Sequence, residues 1–150
     1  YAAHYLNPNN RHMRLFPDVL PTLERLREAG YWLSVATGKG RSGLNQAIAQ
    51  TGTGDFWLAT ACASECPSKP APDMVWRVWD ELGVMPSESI VIGDTAFDLE
   101  MAAHAGARGI GVATGAHSRE TLQSAPNIGI LSCFGELEGF LQRQGSIEAV

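Results

Sequence analysis

Apolar and polar positions alternate between two periodicities along the chain. In 18–30, Val19, Leu20, Leu23 and Leu26 are spaced for one helical face, and Gly30 follows as a helix end. Short apolar runs bounded by glycine and polar residues separate such segments, which is typical of strands. The pattern predicts helices over 18–30, 41–52, 71–84, 96–105, 118–125 and 134–145, and strands over 31–36, 56–60, 89–92, 108–114 and 128–131.

The order of these elements indicates the fold class. Ile90-Val91-Ile92 is apolar on both faces, as in a strand that helices cover on both sides. Helices and strands follow each other in alternation, which favours parallel strands joined by helical crossovers. We therefore expect an α/β fold, a parallel sheet with helices on both faces. The four tryptophans are expected to pack into its core: Trp32, Trp57, Trp76 and Trp79.

Composition narrows the function classes. The 150 residues suffice for one domain with its own core, and 45% are apolar. A net charge of −5 with scattered Lys and Arg argues against a nucleic-acid partner. No apolar run approaches the length of a membrane span. Three cysteines are too few, and odd in number, for a disulfide scaffold, so we expect a reducing, cytoplasmic setting. The sequence does not indicate an oligomeric state.

Polar groups follow three of the predicted strands. Thr37 and Gly38 follow the first strand, Lys69 follows the second, and Asp94 and Asp98 follow the third. In open α/β sheets, ligands gather at the carboxyl ends of the strands. The sequence therefore predicts that these groups converge at one edge of the sheet.

The first two groups suit an anion, although each has an ordinary alternative. A hydroxyl and glycine N–H groups at a strand end, as in Thr37-Gly38, can bind a phosphate, but Thr and Gly are also common loop residues. Lys69 stands in "SKPAPD", where Pro70 and Pro72 stiffen the loop that presents it. A Lys-Pro pair also occurs by chance in many loops. Neither feature alone decides between the two interpretations.

The two carboxylates also admit two interpretations. Asp94 and Asp98 suit Mg²⁺, which takes oxygen ligands. Alternatively, Asp94 or Thr95 caps the following helix and Asp98 favours its positive N-terminal dipole. A hydroxyl, a rigid lysine and a carboxylate pair at one edge are what phosphoryl transfer needs: cations, a metal and hydrogen-bond donors around the phosphate.

Three stretches carry a resemblance to a known family. "LSVATGK", "SKPAPD" and "IVIGDTAFD" resemble the second, third and fourth motifs of the haloacid dehalogenase-like (HAD) phosphatases, most closely the phosphoglycolate phosphatase-like branch. The resemblance covers roughly 15–145 and implies a Rossmann-like core. It implies that Thr37 binds phosphate and that Lys69 neutralises the charges of phosphate and nucleophile. It also implies that Asp94 is a Mg²⁺ ligand, with Asp98 a second acidic residue at the metal.

One family motif is absent from this chain. The first motif, an Asp-x-Asp pair followed by Gly-Thr, supplies the nucleophile and a general acid/base. No two of the six aspartates are separated by one residue: Asp18, Asp55, Asp73, Asp80, Asp94 and Asp98. The resemblance then implies that 1–15 is a remnant of a cap or connector and that 16–150 is a HAD-like core lacking its central nucleophile strand and its cap domain. We expect the chain to be the carboxyl-terminal part of a longer phosphatase.

The absent strand has a structural consequence. In the family it lies between the strand that ends at Thr37 and the strand that ends at Asp94. Either another segment supplies it, or the two flanking strands close up. Unpaired buried backbone groups would otherwise cost of order 1–3 kcal/mol each.

The resemblance implies a function with several rivals. The longer protein would be a magnesium-dependent phosphatase that hydrolyses a small phosphorylated metabolite through an aspartyl-phosphate, and the chain alone would be inactive. Alternatives are a phosphomutase or phosphonate hydrolase of the same superfamily and a non-catalytic phosphate-binding homologue. A haloacid dehalogenase would not need the Asp94–Asp98 pair. A receiver-like regulatory module is disfavoured because Lys69 precedes the acids. The substrate depends on the cap, so the sequence does not name it.

Overall fold

The structure, a computed structural model, describes residues 17–144 as alternating helices and strands. The interpretation of 1–15 as a cap remnant lies outside the described residues. The helices are α1 (Val19–Glu28), α2 (Arg41–Thr51), α3 (Asp73–Leu82), α4 (Ala96–Ala105), α5 (Arg119–Gln123) and α6 (Leu137–Gln144). The strands are β1 (Leu33–Thr37), β2 (Trp57–Cys62), β3 (Ile90–Gly93), β4 (Arg108–Val112) and β5 (Gly129–Leu131).

The predicted element order is confirmed, and the boundaries shift where local chemistry decides them. The first strand begins at Leu33 rather than at residue 31, because Gly30 has a φ of 96° and the Tyr31 N–H donates back to the Leu26 carbonyl over 3.0 Å. Tyr31 therefore still belongs to the helix ending. The last predicted helix divides into a 3₁₀ turn, Phe134–Glu136, and α6.

All strand pairs are parallel, but they form two sheets rather than one. β1 pairs with β2, and the second sheet has the order β3-β4-β5. Within residues 17–144, no backbone ladder joins β1 to β3. Instead, residues of both strands line an apolar cleft of about 210 Å³. The two flanking strands have therefore not closed up on each other.

Helices cover both faces of the strands, as predicted. Ile90 and Ile92 of β3 pack against a core cluster built mainly from α1 and α6, with Leu23 and Leu141 among its buried members. Val91, the residue between them, packs against the opposite cluster from α3 and α4. This two-sided burial explains why the strand is apolar at every position.

The tryptophan expectation is correct for Trp79 and wrong for two others. Trp79 is 9% exposed and packs between α3 and α4, whereas Trp32 is 50% and Trp76 48% exposed. Trp32 lines the open cleft, so one side of its ring faces protein and the other faces solvent. Trp76 lies on the outer side of α3, and its Nε1 donates to the Ala105 carbonyl over 3.4 Å. A half-exposed indole with a satisfied N–H is stable at a surface.

Two bulk features accompany this fold. No helix of residues 17–144 combines the length and the apolar character that crossing a membrane requires. Cys62, Cys66 and Cys133 are free thiols.

Candidate active site

An ion pair joins the loop after β2 to the start of α4. Lys69 Nζ donates to Asp98 Oδ1, and the two side chains are only 14% and 5% exposed. Lys69 follows β2 and Asp98 follows β3, so this contact brings the carboxyl ends of the two sheets to the same edge of the molecule. The predicted convergence is therefore present for these two residues.

The loop that carries Lys69 is held on both sides. The Ala71 N–H closes a turn onto the Ser68 carbonyl at 3.0 Å, and the Lys69–Pro70 peptide bond is cis. His104 of α4 lies with Nδ1 2.8 Å from the Pro70 carbonyl oxygen and donates to it in the tautomer protonated at Nδ1. The prolines and this histidine fix the backbone, so the lysine side chain starts from a rigid base.

Asp98 also builds the start of α4. Thr95 Oγ1 accepts the Asp98 N–H at 3.2 Å, while Asp98 Oδ2 accepts the Thr95 N–H at 3.1 Å and the Thr95 hydroxyl at 2.8 Å. This is a reciprocal capping box. Gly93 lets the helix begin so close to β3, since a Cβ there would lie 2.2 Å from Asp98 Cβ. The capping interpretation is therefore confirmed for Thr95, and both Asp98 oxygens accept hydrogen bonds.

Asp94 is buried beside this pair and differs from Asp98 in its electrostatics. It is 3% exposed at the end of β3. Burial and, to a smaller extent, the Asp98 charge raise the pKa of Asp94 to about 7, while Lys69 opposes the shift. Burial alone would also raise the pKa of Asp98, but the Lys69 ammonium and the hydrogen bonds from Lys69 and Thr95 bring it below its usual value. A nearby cation is thus needed to keep both carboxylates charged at neutral pH.

The raised pKa of Asp94 makes stability depend on pH in a predictable direction. Folding favours the protonated form of Asp94. The stability that this preference contributes is present in acid and is lost as pH rises through about 7. With EDTA present, we expect the Asp94→Asn variant to gain about 2–3 kcal/mol relative to the unmodified chain between about pH 5 and pH 8. Urea unfolding at several pH values measures this difference. An Asp80→Asn variant, at an exposed position of α3, should retain the unmodified pH profile. A constant difference between Asp94→Asn and the unmodified chain over this range would contradict the expectation.

Thr37 and Gly38 lie at the end of β1, on the other side of the cleft. Thr37 is fully buried, and its Oγ1 accepts the Lys39 N–H at 3.2 Å. A Cβ on Gly38 would meet no heavy atom within 4 Å, so the space beside that backbone is open. Within the described residues, no hydrogen bond or ion pair joins Thr37 to Lys69 or Asp98. The structure thus places Lys69 beside Asp98 and Asp94. It leaves the Thr37 hydroxyl at the end of a different strand, β1.

The oxygen donors of this site suit a magnesium ion that takes part of its ligands from water and substrate, rather than a metal ion whose ligands all come from the protein. Among residues 17–144, no group of three or more His, Cys, Asp and Glu side chains is placed to hold a metal ion. Asp94 supplies a buried carboxylate, while both oxygens of Asp98 already accept hydrogen bonds. Mg²⁺ commonly uses one or two carboxylates and completes its shell with water and substrate phosphate. The residues fit a magnesium ion held chiefly by Asp94.

Sequence reasoning missed an ionic clamp beside the site. Arg41, directly after the glycine loop, makes a bidentate contact with Glu65, with Nη2 2.7 Å from Oε1 and Nε 3.0 Å from Oε2. Its Nη1 also donates to Thr60 Oγ1 at 2.8 Å. The Arg41 hydrogen bonds lower the pKa of Glu65. The clamp ties the loop after β1 to the loop after β2. Its partners are 24 residues apart, and no local pattern signals such a contact.

Comparison with known proteins agrees with this geometry. A family model described as haloacid dehalogenase-like hydrolase matches residues 1–112. The chain belongs to the haloacid dehalogenase-like hydrolases. Among curated proteins, "Probable phosphatase IndB" of Dickeya dadantii is 32% identical over 126 residues, 83% of this chain and 55% of that protein. Family membership sets the receiver-like alternative aside.

Two further relatives support the phosphoglycolate phosphatase-like branch and the fold. The phosphoglycolate phosphatase of Pectobacterium atrosepticum is 27% identical over 139 residues, 91% of this chain and 59% of that protein. The crystal structure of a haloacid dehalogenase-like hydrolase from Bacteroides fragilis superimposes with a TM-score of 0.78 at 30% identity, covering 82% of this chain and 59% of that one. The chain spans little more than half the length of the curated relatives it matches. The expected family and α/β fold are confirmed.

Proposed function

We propose that this chain is part of a magnesium-dependent HAD phosphatase that hydrolyses a small phosphomonoester in the cytoplasm. The observation that carries the proposal is the Lys69–Asp98 ion pair beside the buried Asp94, at the carboxyl end of β3. A fixed ammonium and a metal-binding carboxylate at a helix N-terminus suit a phosphoryl group and its counter-ion. The free cysteines support the cytoplasmic setting.

Each predicted site residue has a role in this proposal. Lys69 neutralises charge on the phosphoryl oxygens, and Asp98 is a positioning residue that aims the ammonium. The Thr37 hydroxyl and the Gly38 N–H donate to the phosphate from the end of β1. Asp94 would hold Mg²⁺, which supplies positive charge to the phosphoryl oxygens when bound. The set of hydrogen bonds around Asp98 favours a role at the lysine over direct metal binding.

The nucleophile is proposed to reside on a strand that fills the cleft between β1 and β3. The cleft walls are apolar and include Leu33, Val35, Ile90 and Ile92. A strand parallel to both neighbours would supply hydrogen-bond partners to their facing edges and bury its own side chains against these walls. Its carboxyl end would reach the edge that holds Lys69. The HAD resemblance, in which an Asp-x-Asp strand precedes the segment seen here, supports this arrangement.

The reaction then runs in two displacements. A carboxylate oxygen on the added strand attacks phosphorus, and the ester P–O bond breaks as the leaving oxygen takes a proton from the second carboxyl group of the Asp-x-Asp motif, the general acid. Water next attacks the phosphorus of the aspartyl-phosphate and releases inorganic phosphate, which restores the carboxylate. Two moderate barriers replace one high barrier.

A comparison of the chain with the longer protein tests the proposal. Residues 1–150 alone, folded by circular dichroism and supplied with Mg²⁺, should not hydrolyse p-nitrophenyl phosphate above the buffer rate. The longer protein, with its upstream segment, should hydrolyse it and lose the activity in EDTA. Hydrolysis by residues 1–150 alone would refute the assignment of the nucleophile, and an inactive longer protein would refute the phosphatase.

A further inference from the structure

We infer that Phe97 and His117 are specificity-determining residues that contact the organic, leaving part of the substrate. The inference rests on the proposed function and adds to it the residues that recognise the alcohol part of the phosphoester, a part that inorganic phosphoanhydrides lack. Neither residue is among the phosphate or metal ligands that the three motifs predict. Both lie at the same edge of the molecule as Lys69 and Asp94.

Phe97 is a large apolar side chain that is half exposed next to Asp98. It lies in the first turn of α4, directly before Asp98, and is 51% exposed. Asp98 points inward to Lys69 from the same turn, whereas the Phe97 ring remains on the solvent side. An apolar ring at the rim of a polar pocket can be covered by the organic part of a bound molecule.

His117 fixes that ring from the loop after β4. The two rings pack edge to face, with centroids 5.7 Å apart and planes at 61°. His117 Nδ1 accepts the Ala96 N–H over 2.9 Å. This N–H is one of the first-turn donors of α4 that no helix carbonyl satisfies. The histidine therefore holds residues 113–118 against the start of the helix, two residues from Asp98.

The same hydrogen bond defines what His117 can offer to a substrate. Because Nδ1 is an acceptor here, the proton of the neutral ring lies on Nε2, which is a donor. An apolar ring edge next to an N–H donor suits an alcohol group that combines carbon atoms with an acceptor oxygen. Inorganic pyrophosphate and inorganic phosphate offer no carbon surface to this pair.

Substrate comparison in the full-length protein tests the inference. In Phe97→Ala, we expect KM for p-nitrophenyl phosphate to rise about 5- to 10-fold, because an apolar contact is lost. Phe97→Leu, which keeps an apolar group, should restore most of the affinity. His117→Asn, which preserves an acceptor for the Ala96 N–H but removes the ring, should raise the same KM by a similar factor. The inhibition constant of inorganic phosphate should change less than about twofold in all three variants.

Met85→Ala is the matched control. Met85 is 62% exposed and precedes β3, so it lies at the opposite end of the strand from the site. Removing this side chain should leave both the KM for p-nitrophenyl phosphate and the inhibition constant of inorganic phosphate unchanged. A KM for p-nitrophenyl phosphate that stays within about twofold in Phe97→Ala would overturn the inference, and so would a parallel rise in the phosphate inhibition constant. A wild-type protein that hydrolyses no phosphoester would instead contradict the proposed function itself.

Discussion

Replacing Lys69 by alanine or Asp94 by asparagine in the proposed full-length phosphatase is expected to lower kcat by about 10²–10³-fold or more. Lys69 is the cation that the structure fixes at the site, through its ion pair with Asp98. Asp94 is the buried carboxylate available to a metal. Both interactions act on charge that is concentrated on the phosphoryl group, so their loss should appear chiefly in kcat. Steady-state kinetics with p-nitrophenyl phosphate and saturating Mg²⁺ provide the measurement.

The design needs a control for charge and one for folding. Asp80→Asn makes the same chemical change as Asp94→Asn on the exposed side of α3 and should retain wild-type turnover. Lys69→Ala leaves Asp98 buried without its ammonium, so thermal unfolding must show that the variant is folded at the assay temperature. Near-normal turnover in a folded Lys69→Ala or Asp94→Asn variant would remove that residue from the catalytic assignment.

Replacing Gly93 by alanine should both destabilise the protein and abolish most of its activity. The added Cβ would lie 2.2 Å from Asp98 Cβ and 2.5 Å from its carboxyl carbon, far inside van der Waals contact. The start of α4 must then move away from β3, which displaces Asp98 from Lys69 and disturbs the Thr95 cap. Overpacking of this kind costs about 1–3 kcal/mol or more. Chemical unfolding measures the loss of stability, and kcat measures how much activity is lost when Asp98 moves away from Lys69.

Gly115→Ala separates this steric effect from a general effect of losing glycine. An added Cβ at Gly115 meets no heavy atom within 4 Å, and the residue has no positive φ. The free energy of unfolding of the Gly115→Ala variant should differ from that of the unmodified protein by no more than about 0.5 kcal/mol. If Gly93→Ala were equally mild, the close contact between β3 and α4 would not be essential to the site.

The sequence predicted those features of the site that depend on local pattern. Ala96–Ala105 has the predicted helix bounds, because Thr95 caps its first turn and Gly106 ends it in a left-handed conformation. The rigid presentation of Lys69 followed from its prolines. The sequence did not predict that burial and hydrogen bonding shift the pKa values of Asp94 and Asp98 in opposite directions. Such differences depend on which residues surround each carboxylate, and a single sequence does not specify that.

Long-range contacts account for most of what the pattern did not predict. The Arg41–Glu65 clamp and the Ala96–His117 hydrogen bond join residues 24 and 21 positions apart. The exposure of Trp32 depends on the space between two strands, which the sequence around Trp32 does not determine. Periodicity gives the face on which a residue lies, but not whether a neighbour covers that face.

The cleft between β1 and β3 has a consequence for how the proposed full-length protein would be made. A strand from the amino-terminal side leaves the ribosome before either of its two neighbours. It would have to remain unpaired until residues 33–37 and, much later, 90–93 had been synthesised. Contacts between segments so distant in sequence form slowly, since a large loop must first be closed. Assembly of the catalytic centre would therefore be a late event in biogenesis, completed only after most of the chain is available.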